Sequence, residues 1–146
     1  MIFDLDGTLV DSAPAIAQTL NNVLSQEGVK ELSKDEVKSL VGFGARWMVE
    51  GVLKKSKIEK SEYELEDIMN RYFEHYIKIS DKFTHVYDGV FYTLREMKKR
   101  GIKLGICTNK PGATTDIVLE GLGLSPFFEA VVTEDDVKHS KPDPRH

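Results

Sequence analysis

The stretch Met1-Ile2-Phe3-Asp4-Leu5-Asp6-Gly7-Thr8 decides how the rest of the chain is read. It is a short apolar run ending at a carboxylate, the pattern of a buried strand reaching its end. Gly7-Thr8 breaks that run, and Asp11-Ser12-Ala13-Pro14 signals a helix start with Ser12 as its cap. From there the period changes. Ile16, Leu20, Val23 and Leu24 share one helical face, and Gly28 closes the helix. Ser33-Lys34-Asp35-Glu36 and Ser61-Glu62-Tyr63-Glu64 are capping boxes, in which hydroxyl and carboxylate satisfy free amides reciprocally. After the second box, Leu65, Ile68, Met69, Tyr72, Phe73, Tyr76 and Ile79 recur at helical spacing. Trp47, Met48, Val52 and Leu53 predict a further helix behind a Gly42-Phe43-Gly44 loop. Residues 14–81 therefore read as a helical bundle, with Trp47, Met48 and the aromatic stripe in its core.

The pattern alters again after Lys82. A helix over 90–100 ends at Gly101, a strand follows over 102–107, and Pro111 opens a helix that runs to Leu122. Another strand is expected over 129–133. Strands alternating with helices argue for a parallel sheet with crossovers. The expected fold class is α/β: a Rossmann-like parallel sheet core at 1–13 and 82–146, with a helical cap inserted at 14–81.

Composition removes several functions. The chain has 146 residues, with 20 basic against 24 acidic and a net charge of −4. It lacks the basic excess of a nucleic-acid binder. No apolar run reaches the roughly 18 residues of a membrane span. The first strand follows Met1 directly, leaving no room for a signal peptide, and the one cysteine, Cys107, cannot form an internal disulfide. These features predict a cytoplasmic protein with no nucleic-acid or membrane partner.

In open parallel sheets, ligands bind outside the carboxyl ends of the strands. Three such ends carry reactive groups here: Asp4 and Asp6, then Thr108-Asn109-Lys110, then Lys141 beyond the third strand. Two carboxylates two residues apart can divide labour, one as nucleophile and one as acid and base. A carboxylate is a competent nucleophile toward phosphorus, a reaction governed by positioning and charge stabilisation. Two anions facing a phosphate need a cation, and hard oxygen ligands favour Mg2+. Lys141 adds a fixed charge, while the Thr108 hydroxyl and the amides near Pro111 can hold phosphate oxygens. Gly7 lets the first loop turn tightly beside the substrate. Arg46 follows the loop expected to meet the substrate and can grip a carboxylate in bidentate fashion. The Glu134-Asp135-Asp136 cluster reads as a solvated loop.

At these residues the chain resembles the haloacid dehalogenase superfamily. Asp4-Leu5-Asp6-Gly7-Thr8-Leu9-Val10-Asp11-Ser12 is similar to its first motif, Thr108 to its second, and Lys141-Pro142-Asp143-Pro144 to its third. The helical insert, Val41-Gly42-Phe43-Gly44-Ala45 and Thr108-Asn109-Lys110-Pro111 resemble the phosphoglycolate phosphatase-like branch. The resemblance implies Asp4 as nucleophile and Mg2+ ligand. It makes Asp6 the acid and base, which also gives its backbone carbonyl to the metal. Thr108 and Asn109 become phosphoryl-binding groups, and Lys141 the residue that steadies Asp4. The second aspartate favours a phosphatase over a dehalogenase, because a halide leaving group needs no proton.

The implied activity is hydrolysis of a small phosphorylated metabolite, with 2-phosphoglycolate the first candidate. A pyrophosphatase, a nucleotidase, a sugar phosphomutase or a non-catalytic binding module are the alternatives. The family's fourth motif, which supplies further aspartates to the metal, is not found, so the chain is expected to be a fragment of a longer enzyme. It is expected to bind Mg2+ weakly and turn over poorly, and to leave the Asp4 strand at a sheet edge open to self-association.

Overall fold

The computed structural model describes residues 1–145, and His146, the last residue of the expected α/β core, lies outside them. In chain order the elements are β1 (Ile2–Phe3), β2 (Val10–Asp11), α1 (Ala13–Leu24), α2 (Lys34–Lys38), α3 (Ala45–Lys55), α4 (Glu62–Phe83), β3 (His85–Val86), α5 (Val90–Lys99), β4 (Gly105–Cys107), α6 (Gly112–Gly121) and β5 (Ala130–Val132). Strands β1, β4 and β5 form a parallel sheet in that order, with Phe3 opposite Ile106 and Ile106 opposite Val131. The fold is α/β, as the alternating pattern predicts. The strands are shorter than their apolar runs, because Ile102 is still tied to the end of α5, its amide donating to the Met97 carbonyl at 3.1 Å.

Helices α1 to α4 pack on one another, and α1 lies along α4. Both capping boxes form, Ser33 with Glu36 and Ser61 with Glu64. The start of α1 differs from expectation. Ser12 makes no capping bond, and the Asp11 carboxylate takes the Ala13 amide instead, at 3.1 Å. Trp47 is also not a core residue. It is 48% exposed and stacks on Phe43 at 4.4 Å, while Met48, Val52 and Leu53 on the opposite face are buried.

An antiparallel ribbon that the sequence does not reveal joins β2 to β3, with Val10 opposite Val86 and Asp11 opposite His85. It ties together the two places where the chain passes between sheet and bundle. One apolar core runs through both, from Leu20, Val49 and Ile68 to Leu5, Ile106 and Val118. No helix among the described residues is long and apolar enough to cross a membrane.

Behind α1, Glu27 joins two helical segments. Its carboxylate pairs with Lys60 and, at 2.6 Å, with Arg71. Hydrogen bonds from Lys60 and Arg71 hold its carboxyl below the ordinary value of 4.5, against the opposing effect of burial. A depressed value in the folded state means that this stabilisation is complete above the unfolded value and lost as pH falls through the folded one. Glu27→Ala is expected to cost about 2 kcal/mol near neutral pH. Thermal melts from pH 7 to pH 3 should show the variant and the parent converging at the acid end.

Candidate active site

Leu5 has no exposed surface, and its carbonyl accepts three amides, from Thr8 (3.2 Å), Leu9 (2.9 Å) and Val10 (3.2 Å). So tight a turn requires a left-handed residue, and Gly7 supplies it with φ 79°. The anchored leucine leaves Asp4 and Asp6 flanking it at the end of β1. Gly7 itself serves the turn: its amide donates to the Val10 carbonyl at 2.8 Å, and it lines a neighbouring hollow with Asp11 and Ser12. The tight turn expected of Gly7 is thus what its conformation supplies.

Asp4 and Lys141 meet across most of the chain. The Lys141 ammonium donates to Asp4 Oδ1 and to the Cys107 carbonyl, each at 2.8 Å. Thr108 is almost fully buried at the end of β4, its amide bonded to the Val132 carbonyl and its Oγ1 accepting the Lys110 amide at 3.2 Å. The hydroxyl proton stays available for an acceptor. Asp4, Asp6, Thr108, Asn109 and Lys110 line one side of a cavity, and Ile16, Met48, Tyr72, Phe73 and Tyr76 of the bundle line the other. The space between them is about 30 Å³, room for one or two waters.

Two expected substrate contacts are occupied by protein. The Asn109 amide donates to the Gly42 carbonyl (2.9 Å) and the Lys141 carbonyl (3.0 Å), and its oxygen accepts the Lys141 amide (2.8 Å). Asn109 thus sews the bundle loop to the segment carrying Lys141. Arg46 points the other way, on the outer face of α3. Its guanidinium is held by Glu50 at 2.9 Å, by Glu62, and by Glu66 at 3.5 Å, and it does not line the cavity.

At the start of α6 the Gly112 amide is taken by protein, donating to Asp135 Oδ2 at 2.6 Å. Asp135 and Asp136 are exposed, as the reading of 134–136 as solvated expects, but the segment is a short helical turn and Glu134 is half-buried. Asp136 closes a capping box with Thr133. The Glu134 carboxylate lies against Gly44, close enough that a Cβ there would come within 3.4 Å of it. Burial, and then the neighbouring charge of Asp135, raises the Glu134 carboxyl above its ordinary value.

Sequence reasoning missed Lys110 and Tyr76. The Lys110 side chain is only 6% exposed, and its ammonium lies 3.3 Å from Asp6 Oδ2 and 2.8 Å from the Tyr76 hydroxyl. Tyr76 belongs to the aromatic stripe that reads as bundle core, and it is buried there. Nothing in its spacing marks one hydroxyl as facing an ion pair. Lys110 had one usable signal, its place two residues after Thr108 at a strand end.

A parallel sheet with paired aspartates at one strand's end, beneath a lining of helices, defines an α/β protein with a carboxylate-centred site. Residues 1–146 match the profile of the haloacid dehalogenase-like hydrolases, and the chain belongs to that family. It is 35% identical over 145 residues to a phosphoglycolate phosphatase of Agrobacterium fabrum, covering 99% of this chain and 62% of that protein. It is 38% identical over 145 residues to a phosphoglycolate phosphatase of Caulobacter vibrioides, covering 99% of this chain and 61% of that protein. The crystal structure of "a predicted phosphoglycolate phosphatase" from Haemophilus somnus superposes with a TM-score of 0.87 at 28% identity, covering 97% of this chain and 64% of the other. The chain thus spans less than two thirds of the length of these relatives.

Asn109→Ala should leave the Gly42 and Lys141 carbonyls without a donor and cost about 2 kcal/mol. Hydrogen exchange should then quicken at the Lys141 amide, while exchange within α4 is expected to hold at the parent rate.

Proposed function

We propose that this chain carries the nucleophile and proton-transfer groups of a phosphatase acting on a small phosphorylated metabolite, with 2-phosphoglycolate as the first candidate. The observation that carries the reading is the contact between Lys141 and Asp4, 2.8 Å long, with Asp4 and Thr108 lining one cavity. The phosphoglycolate phosphatases among its relatives point to the same substrate.

In this reading an Asp4 carboxylate oxygen attacks phosphorus and the bond from phosphorus to the ester oxygen breaks. Asp6 delivers a proton to the departing oxygen, giving the free alcohol and an aspartyl phosphate. Water then attacks phosphorus, Asp6 takes its proton back, and inorganic phosphate leaves with Asp4 regenerated. Lys141 holds Asp4 in line, and the Thr108 hydroxyl donates to a phosphoryl oxygen. The apolar lining from the bundle keeps bulk water away. The bundle acts as a lid over the sheet core, opening to admit the ester and closing around it.

Asp4 and Asp6 are hard oxygen donors of the kind that suits Mg2+, which is held through one or two carboxylates and keeps several waters. The Asp4 carboxylate and the Asp6 backbone carbonyl are the groups that would hold it; among the described residues no cluster of three or more acidic, histidine or cysteine side chains could hold a metal. When bound, the cation would draw charge from the phosphoryl oxygens.

Beryllium fluoride with Mg2+ mimics a phosphoryl group on a carboxylate. Fluorine NMR is expected to show a bound resonance with the parent protein and none with Asp4→Asn. A parent that traps nothing would refute the nucleophile assignment.

The exposed outer side of β1, where Ile2 is 74% exposed, supports self-association through strand addition. Sedimentation velocity should show a dimer for the parent and a monomer for Ile2→Lys. A monomeric parent rules this out.

A further inference from the structure

Among the described residues that line the cavity, Lys110 is the sole cation. Arg46, the other candidate for reading a substrate's charge, is tied up outside by three glutamates. The Lys110 ammonium has three donors. One goes to the Tyr76 hydroxyl at 2.8 Å, and the ring of Tyr76 lies 4.5 Å away. Its contacts with Asp6, at 3.3 and 3.5 Å, are longer than the 2.7–2.9 Å of a good charge-assisted hydrogen bond. The buried cation thus has a partner for each donor, but the two contacts with Asp6 are long, so a better acceptor can displace them.

We propose that Lys110, together with the Tyr76 hydroxyl, is the specificity-determining pair of this site, binding a carboxylate carried on the leaving alcohol. The inference rests on the phosphatase reading above. There, Asp6 gives its proton to the ester oxygen, and Lys110 stands directly beside Asp6. A carboxylate one carbon beyond the ester oxygen falls within reach of the ammonium, whereas a neutral alkyl group leaves it with Asp6 alone.

Calorimetric titration of the 146-residue protein with two non-hydrolysable phosphonates tests the assignment, in buffer containing Mg2+. One is 3-phosphonopropionate, in which a methylene replaces the ester oxygen of 2-phosphoglycolate. The other is propylphosphonate, which lacks the carboxylate. The parent is expected to bind the first about tenfold more tightly, the worth of one modest ion pair. Lys110→Met should abolish that preference while leaving propylphosphonate binding within roughly threefold of the parent. Lys110→Arg and Tyr76→Phe should keep part of it, and Arg46→Ala all of it. Equal affinities in the parent, or a preference that survives Lys110→Met, overturn the proposal. The parent comparison needs no variant to fold. A parent that binds neither phosphonate brings down the phosphatase reading and this inference with it, while one that binds both equally brings down the inference alone.

Discussion

A leucine with no access to solvent separates the two aspartates. Leu5 is buried, and its carbonyl gathers three amides into one turn. The position of both acids follows from these two facts. Cutting Leu5 back to alanine would cost about 2–5 kcal/mol, as for other buried leucines, so the anchor is a large share of a small domain's stability. The apolar core therefore fixes the site from beneath, and the acids need no contact with one another to stay in register.

Each aspartate has its own lysine, and the two pairs differ physically. Lys141 and Asp4 are partly exposed, with side chains 30% and 41% accessible, so water screens their attraction and the pair adds little to stability. Lys110 and Asp6 are 6% and 11% accessible, where desolvation rivals the Coulomb attraction. Neither pair is explained by stability. The open pair is the one that water reaches, and the enclosed pair lies against Tyr76 of the bundle. Asn109 then couples the bundle loop at Gly42 to the segment bearing Lys141 through three hydrogen bonds.

The fold is legible wherever a side-chain period persists. The seven residues of the long stripe in α4 and both capping boxes carry enough repetition to be read directly. The β2–β3 ribbon escapes because two residues per strand cannot show an alternation. Trp47 and Met48 are adjacent and both large, and only the packing of α3 decides which one turns inward. In the site, Asp4, Asp6, Thr108 and Lys141 could be placed because strand ends converge in a parallel sheet. The roles given to Arg46 and Asn109 failed for a different reason. Arg46 has Glu50 one helical turn away, but Glu62 and Glu66 reach it only through tertiary packing. The partners of Asn109 are backbone groups, which leave no trace in a pattern of side chains. Lys110 lay hidden for the same reason as Tyr76, since each acquires meaning only from the other.

Where the chain passes between sheet and bundle it encloses the hydroxyls of Ser12, Ser80 and Thr84, and none of the three has a partner among the described residues. Ser12 and Thr84 continue the register that sets Asp11 opposite His85, so they mark the same crossing point. A dry, unpaired hydroxyl is penalised by about 1–3 kcal/mol relative to one that meets solvent. The seam is thus in mild tension when shut, and wetting it offsets some of the adhesion that apolar contact provides. Such a joint parts for less work than its greasy area suggests.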